Sequence, residues 1–339
     1  MQPNNLISKR NSLIFKGGGI LLMLFHHLFY SPSSTSLFWD YHIHVGSHDF
    51  GVVNLLGIYA KLCVAIFVFA SGYGLETTFL NKEVKALSFY IHRFKKLYLN
   101  YWFIWLLFVP VGIFVFGRTP AEAYGNHAII KMILDFFGLL NLSGSYGYNP
   151  TWWFYSCIIL LYLGFPLLHK WLTNKWLLLL SLGIIVSRLA GLPIITPISN
   201  YLLPFLAGMW VARVPASTFD RLSVFDTVIA FVLLSVIRNF SNMYCIVDTL
   251  LCMTIAVFLY KVKFSNWLET FFVQLGKHSQ NIFLFHTFIF LYWFREETYI
   301  TRDSMIIFIQ LTVVCYLISV VLEFVKQKIG FYKLCKKKN

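Results

Sequence analysis

The first long apolar run of the chain contains the stretch Lys16-Gly-Gly-Gly-Ile-Leu-Leu-Met-Leu-Phe-His26-His27 and extends over about residues 13–30. A helix needs about 20 residues to cross the hydrocarbon core of a membrane. Runs of near that length recur to the end of the chain, at about 53–75, 97–117, 151–168, 176–190, 199–213, 223–237, 244–260, 277–294 and 305–325. The sequence therefore predicts an all-α bundle of about ten transmembrane helices.

The composition agrees with this prediction. Of the 339 residues, 58% are hydrophobic and only 12% are charged, and the mean hydropathy is +0.68. Soluble domains are about 45–50% apolar and about 25% charged. A soluble enzyme, a disordered regulator and a secreted disulfide scaffold are excluded. No pair of the six cysteines forms a C-x-x-C motif, so neither a zinc site nor a redox couple is indicated.

The net charge of +14 is explained by orientation in the membrane rather than by binding to nucleic acid. With ten spans and both termini in the cytoplasm, the cytoplasmic segments hold most of the 28 lysines and arginines, as the positive-inside rule requires. Counting the apolar segment 132–142 as an eleventh span would reverse this, so we interpret it as interfacial or re-entrant. We expect one integral domain over residues 1–339, ending in a basic tail at about 326–339 that rests on membrane lipids.

Two ionisable residues of the first span share one helical face. Lys16 and His27 are eleven residues apart, which is about three turns and roughly 16 Å along the axis. Ionisable groups inside a membrane are functional candidates, although His27 could instead be hydrogen-bonded within the bundle. His26 points about 100° away and is interpreted as structural. The glycines between them would let a ligand approach the backbone closely.

A basic motif precedes the third span. Arg93 and Lys96 are three residues apart and share a helical face, where they could anchor the helix in the cytoplasm or clamp phosphate groups.

Three further motifs could contact a substrate. Ser71 and Tyr73 flank Gly72 at the end of the second span, where helix packing is the simpler interpretation. Trp152 and Trp153 open the fourth span and suit either an aromatic belt or a sugar-stacking platform. His286 lies inside a span with an unusually polar start and could face a cavity.

The loop at residues 39–49 contains three histidines and two aspartates. Its spacing matches no zinc motif, so we interpret it as a solvated loop without a metal.

Together these segments resemble the acyltransferase family 3 membrane proteins over nearly the whole chain. The family pattern is a basic residue and a histidine in the first helix, Ser-Gly-Tyr/Phe at the end of the second, R-x-x-R before the third, Trp-Phe opening a later helix, and G-K-x-S-x-x-I-Y/F-L-x-H. The matching residues here are Lys16 with His27, Ser71-Gly72-Tyr73, Arg93 with Lys96, Trp153-Phe154, and Gly276 through His286. Lysine replaces arginine at positions 16 and 96, so both positions keep the charge and lose the planar fork.

The resemblance implies a function. It is the transfer of an acyl group, usually acetyl, from cytosolic acyl-CoA to a hydroxyl of a cell-surface or lipid-linked glycan, at the inner or plasma membrane of a bacterium and with no permanently bound cofactor. His27 would act as general base or as acyl-carrying nucleophile. The CoA phosphates would contact Lys16, Arg93 and Lys96, and the acceptor would contact Ser71, Tyr73, Trp152, Trp153 and His286.

Other functions fit the composition less well. A transporter or flippase for a glycan or small molecule would also use ten helices and midplane histidines, but the internal repeat expected of a carrier is not visible. A glycan polymerase would need a larger outer loop rich in arginine and histidine.

Overall fold

A computed structural model describes residues 6–30, 50–188, 192, 195–241 and 243–335, and it describes no side chain at positions 50, 173, 174, 334 and 335. The histidine-rich loop at 39–49 lies outside these ranges. Within them the protein is helical and contains no strand, which confirms the predicted all-α class.

The α-helices are numbered in chain order. They are α1 (Lys9–Phe29), α2 (Phe50–Tyr59), α3 (Leu62–Phe79), α4 (Ala86–Phe114), α5 (Pro120–Tyr124), α6 (Ala128–Phe136), α7 (Trp153–Ser187), α8 (Thr196–Ser199), α9 (Leu202–Arg213), α10 (Val224–Phe240), α11 (Tyr244–Lys261), α12 (Asn266–Thr287), α13 (Arg295–Tyr299), α14 (Ser304–Lys328) and α15 (Phe331–Cys335). Three short 3₁₀ segments lie at Leu140–Ser143, Pro150–Trp152 and Ala216–Phe219, and a π-helix at Phe288–Trp293 continues α12.

Every predicted span falls mainly on helix, and six helical stretches are long and apolar enough to cross a membrane. Several boundaries differ from the prediction, and the third span begins eleven residues earlier, at Ala86. The second span is two helices separated at Ala60 and Lys61, and the fourth and fifth spans join in α7, whose backbone is non-helical at Lys175. The ninth span begins eleven residues earlier, at Asn266, so its polar stretch lies inside the helix rather than at its start.

The segment 132–142 contains only α6 and a 3₁₀ turn. Nine residues of helix are about 14 Å long, too short to cross a membrane. Its last carbonyls, on Asp135, Phe136 and Phe137, accept hydrogen bonds from side chains of α4: Tyr101 Oη (2.5 Å), Trp102 Nε1 (2.9 Å) and Tyr98 Oη (2.7 Å). These aromatic donors satisfy a helix end that would otherwise leave carbonyls unpaired, and they fix α6 on α4.

The chain forms two compact units, each assembled from three segments. The first unit comprises Met1–Gly19, Leu62–Phe89 and Phe154–Lys277, and the second comprises Ile20–Lys61, Tyr90–Trp153 and His278–Asn339.

In the first unit, α3 and α9 pack at backbone distance. A Cβ on Gly72 would overlap the Phe205 carbonyl oxygen, and one on Gly208 would overlap that of Phe69. The small residues of the Ser71-Gly72-Tyr73 motif therefore serve helix packing.

In the second unit, a polar network joins α4, α12 and α14. Lys326 is 1% exposed, and its Nζ donates to Asn100 Oδ1 (2.5 Å), Asn281 Oδ1 (2.6 Å) and Glu323 Oε1 (2.9 Å). By sequence, Lys326 lies at the start of the predicted basic tail. Its partners bury Lys326 instead of leaving it at the lipid surface.

Candidate active site

The second unit brings two of the predicted site residues together. His27 lies in the last turn of α1 and His286 near the end of α12, and their ring centroids are 5.0 Å apart. The side chain of His286 is fully buried and that of His27 is half-buried. The pair is a candidate for proton-transfer or nucleophilic chemistry.

The end of α1 is held in place from three sides. Asn54 Nδ2 donates to the carbonyls of Phe29 (3.1 Å) and Tyr30 (2.9 Å), and Tyr299 Oη donates to that of Leu28 (3.4 Å). These donors satisfy carbonyls that a helix end leaves unpaired. Gly57 brings α2 against the α1 backbone, because a Cβ there would lie 2.7 Å from the Phe29 carbonyl carbon. The position of His27 is thereby fixed.

Of the two histidines in α1, His26 is engaged with the protein backbone. Its Nδ1 lies 2.8 Å from the Gly57 carbonyl oxygen, and since a carbonyl only accepts, Nδ1 carries the hydrogen. This agrees with the structural interpretation of His26. The neighbouring His27 ring has no hydrogen bond to any protein group in the described part of the chain, so its nitrogens are available to a ligand.

The tautomer of His286 follows from its partners. Its Nδ1 lies 3.1 Å from the Ile282 carbonyl oxygen and 2.9 Å from that of Phe283, so Nδ1 donates. In the neutral ring Nε2 is then an acceptor, 3.3 Å from the Thr287 hydroxyl.

The helix around His286 is held by two side chains. Asn149 Nδ2 (3.1 Å) and Trp152 Nε1 (3.0 Å) both donate to the Leu284 carbonyl. Two residues after His286 the backbone becomes a π-helix, a conformation frequent at functional sites. Trp152 is 2% exposed, and its ring contacts Tyr101 and Phe288. Its contacts are those of a supporting residue beneath His286 rather than of an open sugar platform, while Trp153 is half-buried at the start of α7.

The basic pair Arg93 and Lys96 also lies in the second unit, on α4. Lys96 is exposed and Arg93 is half-buried. Their position on a continuous helix, three residues apart, agrees with the predicted shared face.

The other three predicted site residues, Lys16, Ser71 and Tyr73, lie in the first unit. Lys16 and Ser71 are half-buried. Tyr73 is buried, and its hydroxyl accepts from the Ile7 backbone N–H at 2.9 Å.

The glycines after Lys16 are used mostly for packing. A Cβ on Gly17 would overlap the Phe272 carbonyl oxygen and one on Gly19 would lie 2.8 Å from Ile66, whereas Gly18 has nothing within 4 Å. Of the predicted glycine face, only Gly18 is therefore open to a ligand.

A polar cluster beside α6 escaped the sequence analysis. Asp135 Oδ2 accepts from Tyr124 Oη (2.7 Å) and the Tyr148 backbone N–H (3.1 Å). Burial raises the pKa of Asp135 to about 6 and that of Tyr148 to about 12. The available signal was a lone aspartate in an apolar segment.

The first unit contains a buried charge cluster that was also missed. Glu76 is 0% exposed and contacts His169 Nδ1 (2.8 Å) through one carboxylate oxygen and Arg213 Nε (2.6 Å) through the other. The sequence feature that could have indicated this cluster was Glu76, an acidic residue directly after an apolar run. Because three elements supply the cluster, the sequence alone could not assemble it.

The helices and the histidine pair define a polytopic membrane protein with a candidate site for acid–base or acyl-transfer chemistry. A family model described as an acyltransferase domain, that of acyltransferase family 3, matches residues 14–324. The chain therefore belongs to acyltransferase family 3, and it is a multi-pass membrane acyltransferase. Neither a search of curated proteins nor a search of solved structures found a match.

Proposed function

We propose that this acyltransferase moves an acetyl group from cytosolic acetyl-CoA to a hydroxyl of a cell-surface or lipid-linked glycan at the cell membrane. The observation that carries the proposal is the histidine pair. His27 lies beside His286 and makes no hydrogen bond to the described protein, while both neighbouring histidines of the cluster are bound to backbone carbonyls. Both ring nitrogens of His27 are thus left for a substrate, whereas His26 and His286 each commit Nδ1 to the protein backbone.

In the proposed reaction the acceptor oxygen attacks the thioester carbonyl, and the carbon–sulfur bond breaks. The hydroxyl proton passes to His27, and His27 then returns a proton to the leaving CoA thiolate. A general base and an acyl-carrying nucleophile would both use the same lone pair. Acid quenching without acceptor separates them, because only the nucleophilic route leaves the acetyl group on the protein.

The donor is expected to contact cationic side chains. Arg93 and Lys96 on α4 of the second unit supply charge for the CoA phosphates, and Arg93 can bind a phosphate oxygen pair bidentately. Lys16 on α1, in the first unit, is the other cation that the family resemblance assigns to the CoA. Gly18 offers the open backbone surface next to Lys16.

The experiment uses inverted membrane vesicles and acetyl-CoA labelled either in the acetyl group or in the adenine. We expect the acetyl label to appear in extracted glycan or lipid-linked sugar and the adenine label to stay in solution. Vesicles lacking the protein are the control. Accumulation of both labels inside the vesicles would indicate transport of the donor and would contradict the proposal.

A further inference from the structure

Arg118, just beyond the end of α4, is held between two tyrosine rings of the second unit. Its guanidinium carbon lies 3.6 Å from the centroid of Tyr292 and 4.5 Å from that of Tyr148. Aromatic faces attract a cation without neutralising it. The side chain is half-buried, so a charge is kept near the surface of a largely apolar unit.

The backbone around Arg118 is equally constrained. The Arg118 N–H donates to the Gly112 carbonyl (3.0 Å) and the Arg118 carbonyl accepts from Tyr148 Oη (2.6 Å), while Arg118 Nη1 donates to the Tyr148 carbonyl (2.6 Å). A Cβ on Gly112 would lie 2.6 Å from the Tyr148 hydroxyl. The guanidinium is therefore pre-positioned, and a ligand need not order it on binding.

No carboxylate of the described residues lies within ion-pair distance of Arg118. Two neighbouring acids have other hydrogen-bond partners. Asp135, whose charge interacts with Arg118, binds Tyr124 and the Tyr148 N–H, and Glu122 binds Thr119 at the start of α5. A guanidinium has five N–H donors. One donor is used on the Tyr148 carbonyl and another reaches the Tyr292 side chain. The remaining donors can form a bidentate pair with an external carboxylate or phosphate.

The two rings that hold Arg118 connect it to the helix that carries His286. Tyr292 follows His286 by six residues, which is about 9 Å along the axis. On the other side, Tyr148 stacks on Phe288, with centroids 5.9 Å apart, and Phe288 is two residues after His286. A ligand held at Arg118 would thus extend alongside the turn that carries His286.

We propose that Arg118 binds an oxyanion, a carboxylate or a phosphate, on the acceptor, so that the preferred acceptor is an acidic or phosphorylated glycan rather than a neutral one. This inference rests on the proposed function, in which the bound glycan is the acceptor of the acetyl group. The predicted topology places Arg118 in an outer loop, the side on which a surface glycan would approach.

The test measures equilibrium binding without any acyl donor, so it does not depend on activity. The protein is placed in phosphatidylcholine nanodiscs and titrated with three labelled glycosides: methyl glucoside, methyl glucuronide and methyl glucoside 6-phosphate. We expect at least one anionic glycoside to bind more tightly than the neutral one. The variant Arg118→Gln, which keeps a donor for the Tyr148 carbonyl, should weaken that binding by about 10- to 100-fold and leave methyl glucoside unchanged.

Arg302→Gln is the matched control, an exposed arginine of the same unit, and it should bind all three glycosides as wild type does. Equal affinity for the three glycosides, no measurable binding of either anionic one, or an equal loss for all three in Arg118→Gln would overturn the proposal. The last result would show that Arg118 only supports the loop.

Nanodiscs containing phosphatidylglycerol distinguish a glycan oxyanion from a lipid headgroup. If the headgroup phosphate were the natural ligand, it would displace the anionic glycosides from wild type, and the acceptor assignment would be overturned. Binding that depends on Arg118 in a protein that transfers no acetyl group would refute the proposed function and leave an anionic glycan site standing.

Discussion

The imidazole of His27 lies 5.0 Å from that of His286, centroid to centroid, although the two residues come from opposite ends of the chain. The neighbouring His26 donates to a carbonyl of α2, and His286 donates to carbonyls of its own helix. Of the three histidines, only His27 has no hydrogen bond within the described chain. This arrangement is the basis for proposing His27 as the reacting group and His286 as the residue that shapes its surroundings.

Replacing His286 tests the second half of that assignment. His286→Phe keeps an aromatic ring for packing against Phe290 and removes both nitrogens. We expect turnover in acetyl transfer to fall by about 10- to 100-fold, with the KM for acetyl-CoA unchanged. His127→Asn, at an exposed position with positive φ, is the control and should be fully active. A fully active His286→Phe would remove His286 from the site.

The approach of α2 to α1 can be tested with two glycines of one helix. Gly57→Ala would place a Cβ 2.7 Å from the Phe29 backbone, whereas Gly51→Ala meets open space. We expect Gly57→Ala to shift the end of α1, lowering stability by about 1–3 kcal/mol and reducing acetyl transfer. Thermal unfolding and initial rates are measured on both variants. Similar behaviour of the two variants would show that the contact at Gly57 does not position His27.

The same comparison applies to α3 in the first unit. Gly72→Ala would overlap the Phe205 carbonyl, but Gly74→Ala has nothing within 4 Å. Gly72→Ala should therefore lower the unfolding midpoint, at a cost of about 1–3 kcal/mol. Gly74→Ala should be neutral or slightly stabilising, since alanine favours helix by about 1 kcal/mol. An equal effect of both substitutions would contradict the close α3–α9 packing.

The buried carboxyl group of Asp135 predicts how the stability of the folded protein depends on pH. Because burial raises the pKa of Asp135 to about 6, the folded protein holds this proton more tightly than the unfolded chain does. The resulting stabilisation is present in acid and is lost as the pH rises through about 6. Asp135→Asn keeps an oxygen acceptor without the charge. It should be about as stable as wild type below about pH 4, more stable by about 1 kcal/mol near pH 4.5, and more stable by about 3 kcal/mol near pH 7.5.

Thermal unfolding at these pH values checks this result. Glu122→Gln, at an exposed carboxylate, is the control and should show no comparable gain at the higher pH. If the stability difference between Asp135→Asn and wild type did not change with pH, the buried carboxylate would not titrate as described.

Much of the fold could be predicted from the sequence because apolar length alone identifies membrane helices. The positive-inside rule left the segment 132–142 out of the spans, and the structure has only a nine-residue helix there. The boundaries were harder. Lys61 interrupts a helix inside an apolar stretch, α7 continues through the polar residues between the predicted fourth and fifth spans, and α12 begins with residues too polar to suggest a span.

Individual residues of the candidate active site could be predicted only where a single helix carries the recognisable sequence pattern. His27 and His286 were each identified by an ionisable group in an apolar run, but their contact depends on tertiary packing. The surroundings of Trp152 depend on packing as well. A tryptophan suits both a buried position against α12 and an exposed position at the membrane–water interface, so the sequence does not distinguish the two. Arg118 follows the third predicted span, and nothing in the sequence near it indicates that Tyr148 and Tyr292 converge there.

The most direct test of the account is the rate of acetyl transfer by His27→Gln, correctly inserted and reconstituted beside wild type with acetyl-CoA and the glycan acceptor. We predict that turnover falls by at least about 100-fold, while the affinity for acetyl-CoA stays within about twofold because Lys16, Arg93 and Lys96 are unchanged. Normal turnover in His27→Gln would contradict the assignment of His27 as the reacting group.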